Sequence, residues 1–167
     1  MIPEWANEIE RTEYVDEIFS RIGRLLHKAN SFESYCKGVS TMLDLKSNPG
    51  LRSEENGFEA FLKKIEWKSL GKYIETAAGY FQNQSLTQIL KTAKEARNEI
   101  AHELTLSLEH VFGNQEAEKR LEAKILDLAK KVVVGEYICI GFTASINKEE
   151  PPNLNYLDRT MNWILDK

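Results

Sequence analysis

Three side chains with the potential for acid–base and phosphate chemistry lie within six consecutive residues. Arg97, Asn98 and His102 stand in the stretch ARNEIAHE, residues 96–103. An imidazole that titrates near neutral pH can take a proton from a ribose 2′-hydroxyl or give one to a leaving 5′-oxygen. A fixed guanidinium can stabilise the charge that develops on the phosphate, and neither step needs a metal. These residue types therefore have the chemical capacity for metal-independent RNA cleavage.

The spacing of neighbouring apolar residues places this stretch on a helix. The apolar stripe of that helix is Leu86, Ile89, Leu90, Ala93, Ala96, Ile100, Leu104 and Val111. At 3.6 residues per turn, Arg97 lies about 35° from the centre of the stripe and His102 about 175° from it. The two side chains are about 140° apart, so one copy converges poorly on one phosphate. A two-fold dimer would bring two copies together in a composite cleft.

Arg97 is the unusual residue of the three, because a guanidinium beside a core stripe needs an anionic partner or a route to solvent. A structural salt bridge or a snorkelling side chain is the alternative to a catalytic role. Asn98 and His102 instead share the polar face of the helix. For His102 the alternative is an ordinary solvent-facing histidine.

Basic residues give the chain a possible local RNA-binding patch. The formal net charge is −4, which provides no overall attraction to nucleic acid. Lys91 and Lys94 precede the motif on the same helix, and Lys28 lies on the first predicted helix. With Arg97 they are the predicted RNA contacts, and a solvated charged face is the alternative.

No metal or cofactor site is predicted. Glu99 and His102 have the Glu-x-x-His spacing of di-iron helical bundles, but such a site needs a second copy of the motif. Neither His27 nor His110 has a glutamate three residues before it. The sequence also lacks a Gly-rich phosphate loop and a serine nucleophile elbow. We therefore expect no cofactor.

A long heptad pattern predicts the first helix, residues 6–46. Its apolar residues alternate steps of three and four: Val15, Ile18, Ile22, Leu25, Ala29, Phe32, Cys36, Val39 and Leu43. Pro49 and Gly50 end it. The segment 54–81 follows as one kinked helix or two short ones, because its apolar phase is disturbed near residues 67–71.

Capping signals place the remaining helices. Ser85 and Gln88 form an S-x-x-Q box that predicts a third helix over 86–111, and Asn114 caps a fourth over 115–147. VVVGEYICI in that helix has strand-like composition, but a lone strand would lack a partner for its backbone groups. A short helix from Leu154 to Leu165 closes the chain. The sequence predicts one domain, residues 1–167, with an all-α fold: an up-and-down helical bundle of four main helices plus a short C-terminal helix.

Cysteine usage and hydropathy indicate a cytoplasmic protein without a membrane association. Cys36 and Cys139 lie in apolar surroundings and are expected to be buried free thiols. The segment MIPEWANEIER does not have the pattern of a signal peptide. The longest apolar stretch, residues 132–142, is too short to span a bilayer and contains Glu136.

The motif Arg97-Asn98-x-x-x-His102 on a late helix of an all-α bundle resembles the HEPN superfamily (higher eukaryotes and prokaryotes nucleotide-binding). The signature of that superfamily is Arg, often a polar residue, then His after four to six positions. Arg21 and His27 also fit the spacing, but Asn98, Glu103 and the position on the third helix favour the later match. Toxins of one subgroup carry Tyr two residues after the His, where this chain has Leu104.

The resemblance implies a homodimeric, metal-independent endoribonuclease with Arg97 and His102 as catalytic residues and Asn98 as their support. It also implies RNA as substrate, a role in toxin–antitoxin or abortive-infection systems, and a cognate antitoxin or regulatory protein as a partner. Other members of the superfamily are non-catalytic. A helical dimerisation or partner-binding module is therefore the alternative function.

Overall fold

The computed structural model describes residues 12–48, 59, 61, 63, 68–106 and 108–166. Five helices contain most of them: α1 (Glu13–Ser47), α2 (Leu70–Phe81), α3 (Gln84–His102), α4 (Gln115–Asn147) and α5 (Asn155–Leu165). A short 3-10 helix, Leu108–His110, precedes α4. No strand occurs in these ranges, and the predicted all-α bundle of four main helices and a short C-terminal one is confirmed.

Helix α1 buries the predicted heptad seam. All nine seam residues from Val15 to Leu43 are buried. Thr12 begins the helix, because its side chain accepts a hydrogen bond from the amide of Val15 at 3.2 Å. The predicted start at residue 6 lies outside the described residues. At the other end, the helix stops at Ser47, one residue later than expected.

Helix α2 covers the second half of the predicted segment 54–81. Residues 59, 61 and 63 are helical, residues 68 and 69 are not, and Ser69 caps α2. The disturbed apolar phase near residues 67–71 therefore coincides with a break between helical segments. At its end, Gln82 adopts a left-handed conformation with φ of 49°, which turns the chain into α3.

Both predicted ends of α3 are wrong. Asn83, not Ser85, caps the helix, and its side chain accepts from the amide of Leu86 at 3.1 Å. The helix stops at His102 instead of residue 111. The carbonyl of Glu99 accepts the amides of both Glu103 and Leu104 at 2.9 Å, which ends the regular hydrogen-bond ladder. The chain then turns and buries Leu104 and Leu108 separately.

Helix α4 has the predicted bounds, and the β-branched run at residues 132–140 is helical. Asn114 caps it by accepting from the amides of Glu116 and Ala117. Gly135 lies where α4 closely approaches two other helices. A Cβ built there would overlap the Cβ of Ala93 in α3 and lie 3.0 Å from the ring of Phe32 in α1.

Helix α1 packs against all four other helices, and α4 packs against α1, α3 and α5. Their apolar faces form one hydrophobic cluster. Cys36 of α1 and Cys139 of α4 lie in it with their sulfurs 3.4 Å apart, which confirms the expected buried free thiols. The contact with Cys139 and burial raise the pKa of the Cys36 thiol far above its ordinary value. Within the described ranges, no helix has the length and apolar character needed to cross a bilayer.

Candidate nuclease site

The C-terminal part of α3 carries all three residues of the predicted catalytic motif. Ala93, Ala96 and Ile100 are buried and fix the rotation of this part of the helix against the core. Asn98 and His102 are exposed, while Arg97 is partly buried. The predicted division between an arginine at the core edge and a histidine on the polar face is therefore observed.

Arg97 is held between α3 and α1 by an ion pair. Its Nη2 contacts a carboxylate oxygen of Glu33, and its Nη1 donates to Oδ1 of Asn98 at 3.2 Å. The side chains of Arg97 and Glu33 are 20% and 36% exposed. The guanidinium Nε is buried and has no hydrogen-bond partner among the described residues. Arg97 is thus fixed in orientation, and its charge is balanced by a carboxylate from a different helix.

His102 is the last residue of α3 and points away from the core. Neither a hydrogen bond nor an ion pair connects its side chain to another described residue, and none joins it to Arg97. His102 lies five positions after Arg97, which separates the two Cα atoms by about 7.5 Å along the helix axis and by about 140° around it. One protomer therefore offers a fixed guanidinium and an unengaged imidazole that do not converge.

The structure separates the three lysines predicted to contact RNA. Lys91 and Lys94 line a groove of about 270 Å³ between α2 and α3, together with Gly71 and Thr87. Lys28 lies on the other flank of α1 and forms an ion pair with Glu136 of α4. Lys91 and Lys94 thus share one surface with each other but not with Lys28.

Glu99 forms an ion pair with a residue of α4 and does not contribute to a site with His102. Its carboxylate contacts Nζ of Lys124 at 2.6 Å, which joins the two helices. Across the described part of the chain, no group of three or more His, Cys, Asp and Glu side chains is placed to hold a metal ion.

Two glutamates that organise the charged groups were not identified from the sequence. Glu33 lies on the flank of the α1 seam, and no local pattern distinguishes it from the other charged residues of that helix. Glu136 had a signal, because a carboxylate within an apolar stretch must be paired when it is buried. It is fully buried and is bound by Lys28, Ser31 and Tyr156.

Comparison of the chain with protein-family models, with curated proteins and with solved structures finds no match.

Proposed function

We propose that this protein is a metal-independent endoribonuclease that acts as a homodimer. One observation supports this most strongly. Arg97 is immobilised by Glu33 and Asn98. Five residues later on α3, His102 is exposed, and its side chain has no partner among the described residues. A fixed cation and a free imidazole are the two groups that RNA cleavage by internal attack requires.

In the proposed reaction, His102 accepts the proton of a ribose 2′-hydroxyl as its oxygen attacks the adjacent phosphorus. The bond from phosphorus to the 5′-oxygen breaks, and the 5′-oxygen leaves with a proton supplied by a histidine. The products are a 2′,3′-cyclic phosphate and a 5′-hydroxyl. Arg97 stabilises the additional negative charge on the phosphate oxygens, and Asn98 holds the guanidinium in place.

The angular separation of the two side chains supports a site built from two copies of α3. An apolar surface for such a contact lies on the same stripe of α1 as Glu33. Phe19 and Leu26 precede Glu33 at intervals of seven residues, and both are exposed. Large exposed apolar side chains that lie in one row are typical of protein contact surfaces.

RNA binding in this proposal competes with the ion pair in the free protein. A phosphate that approaches Arg97 replaces part of the interaction with Glu33, because the guanidinium has five N–H donors and the contact with Glu33 uses only some of them. Glu33 is then a positioning residue that keeps the side chain in one orientation until substrate arrives.

The test uses purified protein and a labelled RNA of mixed sequence in the presence of EDTA. We expect cleavage by the wild type with 2′,3′-cyclic phosphate ends. His102→Ala and Arg97→Ala should each lower the rate by about 100-fold or more. His110→Ala is the matched control, because His110 is exposed on the short helix after α3 and outside the motif.

The same variants address the proposed biological role in a toxin–antitoxin or antiviral system. Expression of the wild type should arrest bacterial growth, and expression of His102→Ala should not. Absence of cleavage of any RNA by the wild type, or equal cleavage by wild type and His102→Ala, would contradict the nuclease proposal.

A non-catalytic dimerisation or partner-binding module is the second candidate function. It is favoured by the exposed pair Phe19 and Leu26 and by the neutralised charge of Arg97. In that case Phe19→Asp would abolish self-association or partner binding in sedimentation experiments, and neither wild type nor variant would cleave RNA.

A further inference from the structure

A cleft of about 730 Å³ lies between α1 and α5, on residues that the proposed nuclease mechanism does not use. Its lining includes His27, Lys28, Tyr156, Arg159, Thr160 and Trp163. The volume falls within the range of pockets that bind small organic molecules. Charged, aromatic and hydroxyl groups meet there.

The inner side of the cleft is a closed polar network around Glu136. Lys28 Nζ lies 3.3 and 3.2 Å from the two carboxylate oxygens, and the hydroxyls of Ser31 and Tyr156 donate to them at 2.5 and 2.6 Å. Burial, and then the hydrogen bond to Glu136, raise the pKa of the Tyr156 hydroxyl. The charge of Lys28 is therefore balanced within the protein, and this side of the cleft is held rigidly.

Among the described residues, Arg159 is the cation of the cleft that has no ion-pair partner. It is exposed on α5, and its guanidinium forms no ion pair with any residue that the structure describes. Since Lys28 is neutralised by Glu136, the cleft offers a ligand one permanent positive charge. Its fork of N–H donors matches the two oxygens of a carboxylate.

Trp163 provides an aromatic surface next to this cation. It lies four residues after Arg159, so both side chains are on the same face of α5. The residue is 47% exposed, and its ring is contacted edge to face by His27, with the ring centroids 5.9 Å apart. An accessible indole beside a guanidinium favours a flat ring that carries an anionic group.

We propose that this cleft binds a planar aromatic monocarboxylate. The ring of the ligand packs on Trp163 beside His27, and its carboxylate forms paired hydrogen bonds with Arg159. A single charge is favoured because a polyphosphate would bring several negative charges to a cleft with one uncompensated guanidinium. This inference does not depend on the nuclease proposal, since it uses neither Arg97 nor His102.

The test is isothermal titration of the full-length protein with indole-3-acetate, the neutral amide indole-3-acetamide, and ATP. We expect the acid to bind with a Kd below about 1 mM, and the amide to bind about tenfold or more weakly because it lacks the charge. ATP should bind more weakly than the acid.

Two variants and a control locate the site. Arg159→Gln and Trp163→Ala should each weaken binding of indole-3-acetate by about tenfold or more. Lys119→Gln is the control, because Lys119 is an exposed cation on α4 about 25 Å along the helix axis from Glu136. Thermal melts of each variant without ligand establish that it is folded, and the acid should raise the Tm of the wild type but not of Arg159→Gln.

Three results would overturn the inference. The first is no saturable binding of indole-3-acetate up to about 10 mM. The second is equal affinity of the wild type and a folded Arg159→Gln. The third is tighter binding of ATP or of the amide than of the acid. RNA cleavage measured on the same preparations stays an independent result.

Discussion

Arg97 and Glu136 are both charged groups held between helices, but they differ in what surrounds them. The Arg97–Glu33 pair keeps contact with solvent, and pairs of that kind contribute at most about 1 kcal/mol to stability. Its value lies in orientation, because it fixes a guanidinium that would otherwise move freely. Glu136 is inaccessible to solvent and depends on three donors for its charge. Loss of the Glu136 charge is therefore expected to lower the stability of the fold.

Glu136→Gln tests this difference. The glutamine amide is neutral, so the ammonium of Lys28 loses its anion. Its N–H group also faces the hydroxyls of Ser31 and Tyr156, which donate to the carboxylate in the wild type. We expect the free energy of unfolding to fall by roughly 2–3 kcal/mol, less than the full cost for a broken buried pair because Lys28 is partly exposed. Urea denaturation measures the change.

Asp127→Asn is the control for this measurement. It removes a carboxylate from an exposed pair with Lys131 on the same helix, and its effect should stay within about 0.5 kcal/mol. A loss for Glu136→Gln that is as small as this would contradict the assigned role of the buried carboxylate.

At the scale of the helices, the sequence predicted which segments are helical more reliably than the side-chain contacts between helices. The heptad seam of α1 and the cap at Asn114 are local patterns, and the structure confirms both. The end of α3 was missed because Leu104 continues its apolar stripe while the backbone already turns. The contact of Glu33 with Arg97 depends on the relative rotation of two helices, which one helical pattern does not determine.

Gly135 shows how closely the helices meet. A methyl group there would collide with Ala93 and crowd Phe32, so α4 would have to move away from α3 and α1. We expect Gly135→Ala to lower the free energy of unfolding by about 1–3 kcal/mol, as measured by chemical denaturation.

Gly141→Ala provides a matched comparison on the same helix, because a Cβ at Gly141 meets nothing within 4 Å. That substitution should stabilise the protein by up to about 1 kcal/mol through the better helix propensity of alanine. If the two alanine variants changed stability in the same direction and by the same amount, the close helix contact at Gly135 would have no energetic role.

At the scale of the whole molecule, two tyrosines connect α1 and α5 to α4. Tyr14 donates to Glu122 at 3.1 Å, and Tyr156 donates to Glu136 at 2.6 Å. Burial and then the hydrogen bond to Glu122 raise the pKa of Tyr14 to about 12, and burial also raises the pKa of Tyr156. Both hydroxyls must keep their protons for these contacts to persist.

These shifts predict a loss of stability at alkaline pH. The unfolded chain releases tyrosine protons near pH 10, while the folded chain retains them to higher pH. The stabilisation is therefore complete below about pH 10 and is lost as pH rises through the folded pKa values.

The variant Tyr14→Phe/Tyr156→Phe should be less stable than the wild type at pH 8 and should show a shallower decline between about pH 10 and pH 12. Denaturation curves at several pH values measure both effects. Parallel declines for the two proteins would show that these hydroxyls do not couple folding to pH.

The contacts of α1 with every other helix have a consequence for synthesis of the chain. Helix α1 is complete at Ser47, but α4, which covers much of its seam, ends about 100 residues later at Asn147. At about 5–20 residues per second, a ribosome needs roughly 5–20 s to make that difference. During that time the nascent polypeptide contains the complete apolar seam of α1, but the helix α4 that buries much of this seam has not yet been synthesised. We therefore expect chaperones to engage the newly made N-terminal third, and its release to follow the translation of α4.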